Sequence, residues 1–271
     1  MLELVGLSSV ATWLAGYGAG LLRLRRRGVR WPAGRTVALV AGLACVAAGV
    51  LPPVVDHDET FWVHVGQHLL LAMAAPVLLA LSGPFTLALR TLPRRSRRLL
   101  LGALHSTPVA FVTTPALVLL LDICGLVLLY TTGTYALTLQ HDWLHALVHL
   151  HMFLTGCLLA WVVVGVDPMP RRPGFGGRLA TLVIVAAAHD TISRLLYAHD
   201  LPVGAGPASD RHAGAQLMYY GGTVVDLAMA VALMGQWYRA TGREHRRTLR
   251  RAGPGGPAGP SGAAARDGVV R

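Results

Sequence analysis

The chain has 271 residues, 54% of them hydrophobic and only 14% charged, with a mean hydropathy of +0.52. A soluble domain would carry nearer a quarter of charged residues, so that class is excluded. The formal net charge of +11 is concentrated, since 22 of the 24 arginines lie in alternate connections between apolar runs. That pattern belongs to a membrane protein meeting anionic lipid and argues against a nucleic-acid partner. Apolar stretches of about 20 residues, enough to cross the hydrocarbon core as helix, occur at 2–22, 35–54, 61–83, 111–130, 143–166, 178–198 and 215–237. These Leu/Val/Ala runs do not alternate as barrel strands do. The predicted fold is all-α: a polytopic protein of seven transmembrane helices.

The first run is followed, not preceded, by Arg23, Arg25, Arg26 and Arg27, which is the wrong order for a cleavable signal peptide. Six arginines fall in 23–35, five in 90–98, three in 171–178 and eight from Arg239 onward. The positive-inside rule then places the N-terminus outside and the C-terminus in the cytoplasm, for a multi-pass protein of the cell membrane. Between Arg90 and Pro108, the run Pro93-Arg94-Arg95-Ser96-Arg97-Arg98 and the apolar residues after it predict a short interfacial helix. The outer loops carry Asp56, Asp58, Glu59, Asp142, Asp200 and Asp210. Residues 1–238 are read as the transmembrane domain. Residues 239–271, rich in Arg, Gly and Pro, are read as a cytoplasmic tail, disordered from about 250 because that composition cannot bury a core. Cys45, Cys124 and Cys157 lack metal-ligand spacing and are read as small packing residues. There is no lysine anywhere in the sequence, which excludes lysine Schiff-base chemistry and a retinal pigment.

Most of the twelve histidines gather toward the outer side. His64 and His68 are four apart and share a helix face near the start of the third span. His141, His145 and His149 form a stripe at the start of the fifth, and Met152 continues it; His151 points elsewhere and is predicted to hydrogen-bond a neighbouring helix. The sixth span runs outward with His189-Asp190 and then His199-Asp200. Asp122 on the fourth and Asp226 on the seventh fall at a similar depth by the helical rise. Gln216, Tyr219 or Tyr220, Thr223 and Asp226 make one polar stripe. Asp190 has a ready partner in Arg194, one turn on.

Ionisable groups inside a membrane are rare and usually face a bundle interior or a functional site. Same-face histidine pairs at matching depth predict a metal site drawn from His64, His68, His145, His149 and His189, with Met152 and Asp122 beside them. Neutral imidazole suits copper, zinc, iron and nickel, and thioether shifts the preference toward cuprous ion. Copper is the first expectation and zinc the alternative.

The run His64-Val-Gly-Gln-His68-Leu-Leu-Leu-Ala-Met73-Ala-Ala-Pro76, followed by Ser82-Gly83-Pro84, resembles the CtaG-type cytochrome c oxidase assembly proteins. So do His145-x-x-x-His149-x-His151, the stretch Gly165-Val-Asp167-Pro168-Met-Pro170-Arg171, and Ala188-His189. The resemblance covers about residues 50–235. It departs from the family pattern at Asp210-Arg211, Met218-Tyr219, Asp190 and Arg194. It implies a seven-helix protein of the bacterial plasma membrane, needed for an active haem–copper oxidase, with an oxidase subunit as partner and a role in copper supply. The leading expectation is therefore a non-enzymatic assembly factor or metallochaperone. A seven-helix zinc hydrolase, with Asp122, Asp190 or Asp226 as general base, is the alternative. Haem held between His68 and His149 is a third class. Transport ranks lower, because no polar line continues the cluster into the cytoplasmic half. A diiron enzyme is disfavoured by the lack of an HxxHH cluster, and an HExxH protease is excluded.

Overall fold

The computed structural model describes residues 2–51, 54, 57 and 60–251. Asp56, Asp58, Glu59 and the Gly/Pro-rich stretch from 252 onward lie outside the described residues, with the expectations placed on them. Every regular element among the described residues is helical. The chain divides into a bundle, Met1–Leu233, and a second unit, Met234–Arg271.

In chain order the helices are α1 (Leu2–Arg26), α2 (Ala33–Val50) and α3 (Phe61–His68), which passes through a π-helical segment (Leu69–Ala74) into α4 (Ala75–Ser82). Then come α5 (Pro84–Thr91), α6 (Arg94–Leu104), α7 (Thr107–Val112), α8 (Pro115–Thr131), α9 (Thr134–Thr138), α10 (Asp142–Val163), α11 (Phe175–Ala198) and α12 (Ala208–Arg251). Five stretches are long and apolar enough to cross a membrane: Ala33–Val50, Phe61–Thr91, Asp142–Val163, Phe175–Ala198 and Ala208–Thr248. Two further predicted spans correspond to α1 and to α8, which is apolar but shorter at 17 residues. The predicted interfacial segment is the helix α6, with Arg94, Arg95, Arg97 and Arg98 exposed and Leu104 buried. Residues 239–251, the first part of the tail expected from sequence, are helical as the end of α12. Their Arg- and Glu-containing sequence has no Gly or Pro from Arg243 to Ala252.

The helices bury one face and leave an apolar one outward. On α10, Thr155, Gly156 and Leu159 are buried while Leu147, Leu150 and Leu154 are half exposed; Val183 and Ile184 on α11 and Val224, Leu227 and Val231 on α12 are likewise exposed. Belts of this size have no place in water but suit lipid. One core cluster, including Phe61, Val65, Tyr130, Tyr135, Met152 and Met218, surrounds the histidines. A second, including Val77, Val118, Leu159, Val163 and Leu182, fills the other half of the bundle.

Two aspartates pin the ends of the histidine-bearing helix from far along the chain. At one end, the Asp210 carboxylate accepts from the backbone N–H of Phe61 at 2.8 Å and of Trp62 at 3.2 Å. At the other, Gly83 turns the chain with φ +66°, and α5 starts there with its free N–H groups facing buried Asp167. Phe85 N–H donates to that carboxylate at 3.1 Å, Thr86 N–H at 2.6 Å and the Thr86 hydroxyl at 2.5 Å. Arg172 in turn donates to the carbonyls of Gly165 and Asp167. Arg27 donates to the Arg90 carbonyl at 3.1 Å. The arginine-bearing connections at 23–35, 83–98 and 164–178 thus share one end of the bundle.

Candidate metal centre

His64 comes from α3, and His145 and His149 come from successive turns of α10. The i,i+4 spacing stacks the latter pair, with ring centroids 4.5 Å apart and planes 11° from parallel. The His64 ring stands edge-on to both, 5.1 Å from His149 and 5.9 Å from His145. One ligand atom from each of the three lies within 4.8 Å of the others. Donors around one tetrahedral ion sit roughly 3.3 Å apart, so the three rings would have to turn closer to share an ion.

The hydrogen bonding prepares these rings as ligands. His149 Nδ1 lies 3.1 Å from the His145 carbonyl oxygen. A carbonyl only accepts, so Nδ1 carries the proton and Nε2 keeps its lone pair. That Nε2 is buried and has no hydrogen-bond partner among the described residues, and neither does either nitrogen of His64, which is 1% exposed. Leaving such atoms unsatisfied costs about 1–3 kcal/mol each, which a bound cation would offset. Tyr135 and Tyr130 wall the group, their ring centroids 5.1 Å and 6.1 Å from His64. Neither tyrosine was picked out from sequence; an aromatic hydroxyl at the outer end of an apolar run was the available signal.

One turn further along α3, His68 faces His189 of α11 with ring centroids 6.0 Å apart. Both lie on a small cavity of about 20 Å³ that is also lined by Met73, Asp122, Met152 and Thr155. Both nitrogens of His68, Nδ1 of His189, one oxygen of Asp122 and one of Asp226 are buried without hydrogen-bond partners among the described residues. The single constellation expected from sequence therefore separates into two groups. His64, His145 and His149 converge; His68, His189, Asp122 and Met152 line the second cavity.

Other candidates lie elsewhere. His141 is exposed and stacks on Trp143. His151 Nε2 lies 3.3 Å from the Leu121 carbonyl, the cross-helix bond predicted for it. Asp190 pairs with Arg194 at 2.9 Å, also as predicted, and Arg194 donates to the Tyr219 hydroxyl at 3.3 Å; Asp190 is thereby removed from the candidate bases. The expected stripe on the last span does not face inward as a whole. Gln216, Tyr220 and Thr223 are exposed, and only Asp226 turns a carboxylate oxygen into the interior. Where both faces of a helix meet an apolar medium, polarity alone does not mark the inner one.

The π-helical segment after His68 has a local cause. Pro76 has no N–H to give the Ala72 carbonyl four residues back, and the hydrogen-bond ladder widens across Leu69–Ala74. That carbonyl is met by Gly156 of α10, whose backbone packs so closely that a Cβ there would collide with the Ala72 oxygen. The glycine lets α10 approach the α3–α4 helix close enough to bring two histidine faces together. Single π turns inside helices recur at functional sites.

An all-helical bundle with five stretches long and apolar enough to cross a membrane, and with three histidines gathered in its interior, defines the class as a helical protein suited to a membrane. The chain belongs to the cytochrome c oxidase caa3 assembly factor family, whose model matches residues 15–240. It is 31% identical over 270 residues to proteins of Mycobacterium bovis and Mycobacterium tuberculosis, and 31% identical over 268 residues to one of Mycobacterium leprae, each described as an uncharacterized protein. The alignments cover 92% of this chain but 40–41% of those proteins, so the chain spans about two fifths of their length. No solved structure matches.

Proposed function

We propose that the protein is a membrane-embedded, non-enzymatic assembly factor for a haem–copper cytochrome c oxidase, and that its cargo is copper held by His64, His145 and His149. In this reading α1, α2, α3–α4, α8, α10, α11 and α12 are seven spans of a bacterial plasma membrane. The arginine-bearing end is cytoplasmic and the histidines lie near the outer face, beside lipid and an oxidase subunit. The gathering of three imidazoles within 4.8 Å, in a chain of this family, is the observation that carries the proposal. Three neutral nitrogen donors with no carboxylate among them suit a copper ion that must be handed on, since the site adds no countercharge to retain it. Family membership and the distribution of arginine support the partner and the orientation.

The test is metal content by mass spectrometry after purification in mild detergent with copper supplied, beside a His64→Ala/His145→Ala/His149→Ala variant. About one copper per chain, lost in the variant together with active oxidase in cells carrying it, is the expected result. Copper retained by the variant, or oxidase assembled normally in its presence, would overturn the proposal. The same three-histidine set leaves a fourth coordination position open, as catalytic zinc sites do. Zinc retained through purification, together with hydrolytic turnover, would favour that second reading.

A further inference from the structure

The geometry points to a second cation site, separate from the three-histidine group, at which His68, His189, Asp122 and Asp226 bind a divalent transition-metal ion of the zinc class. These residues come from four helices, α3, α11, α8 and α12, and share the interior of the bundle. His68 and His189 face each other with ring centroids 6.0 Å apart, a spacing that admits one ion between two imidazoles. Both Asp122 and Asp226 lie within electrostatic reach of His189, and Asp226 within reach of Asp122. The cavity bordered by His68, Asp122 and His189, about 20 Å³, has room for one water-sized occupant.

Each of the four residues presents at least one buried donor atom that no described residue satisfies. His68 and His189 are only 4% and 5% exposed. Unpaired polar atoms in this number are rare in a folded interior, and they converge instead of being scattered. Charge selects the occupant. As ligands, two carboxylates and two imidazoles, their protons displaced by the metal, would together carry a charge of about −2, which a divalent ion cancels and a cuprous ion does not. Mixed nitrogen and oxygen donors also favour a borderline divalent metal over a soft one. The three-histidine group has neither carboxylate nor net charge, so the two groups differ in the metal they take.

The inference uses residues outside the copper triad and stands or falls separately from it. Cobalt(II) is the probe, because its visible ligand-field absorption reports tetrahedral nitrogen and oxygen coordination. The full-length protein in detergent, stripped with chelator, is titrated with cobalt(II) beside three variants: Asp122→Asn/Asp226→Asn, His68→Ala/His189→Ala and His145→Ala/His149→Ala. The asparagines keep the shape of the carboxyls, so that variant tests charge while sparing the fold. Affinity is expected to fall by about tenfold or more in the first two variants and to stay within about twofold of the parent in the third. Absorption that is absent from the parent, survives in the asparagine variant, or is lost only with His145 and His149 would overturn the second site. Copper stoichiometry, measured on the same samples, tests the triad independently.

Discussion

A buried imidazole with neither nitrogen hydrogen-bonded is a poor choice for stability, and among the described residues His64 is such a residue. His151, two residues beyond His149 on the same helix, is its internal control: it is anchored to the Leu121 carbonyl. Replacing His64 by Phe removes unpaired polar atoms while keeping an aromatic ring, so the metal-free protein should melt at the same temperature or higher. The same change at His151 removes a cross-helix hydrogen bond and should cost about 0.5–1.5 kcal/mol. Thermal unfolding of both variants in detergent checks the contrast. A large drop in melting temperature for His64→Phe would make that residue structural and weaken the case for a ligand. The four-residue spacings made His64, His68, His145 and His149 legible in the sequence. Their separation into two groups was not legible, because it depends on which rings face across a gap between helices.

The helix from Phe61 to Thr91 shows how an element can be shaped from outside itself. Pro76 was visible in the sequence as part of a motif, but its effect on the ladder depends on Gly156, a residue eighty positions away on another helix. Gly156→Ala should push α10 off the Ala72 carbonyl. We expect a loss of about 1–3 kcal/mol from overpacking, with weakened copper binding because His145 and His149 ride on the displaced helix. Melting and copper titration of one preparation check both parts. Asp167 and Asp210 act at the ends of this element, a role that neither motif spacing nor loop acidity disclosed. The donating N–H groups belong to distant segments, so no local cap signature exists at either place. Alanine at Asp167 should cost about 0.5–2 kcal/mol, the usual range for a lost helix cap, again read as melting temperature; asparagine should recover part of it.

For the molecule as a whole, apolar length and arginine position made the all-helical architecture and its alternating connections readable before any packing was known. They did not disclose that α12 continues as helix to Arg251, because composition reports a missing core and not a missing helix. Orientation can be checked directly. With the three native cysteines replaced, Ser96→Cys in α6 should react with an impermeant thiol reagent only from the cytoplasmic side of oriented vesicles. Gln140→Cys, just before α10, should react only from the outer side. The opposite pattern would invert the topology and place the histidines at the wrong membrane face for delivery to an outward-facing acceptor.

The clamp between Asp210 and the first turn of α3 has a consequence for synthesis. Phe61 and Trp62 emerge from the ribosome about 150 residues before the carboxylate that holds them. Until α12 has been made, the first turn of α3 has no anchor from Asp210, and Asp226 has not arrived beside His189. The nascent protein therefore passes the synthesis of α3 through α11 with neither contact in place.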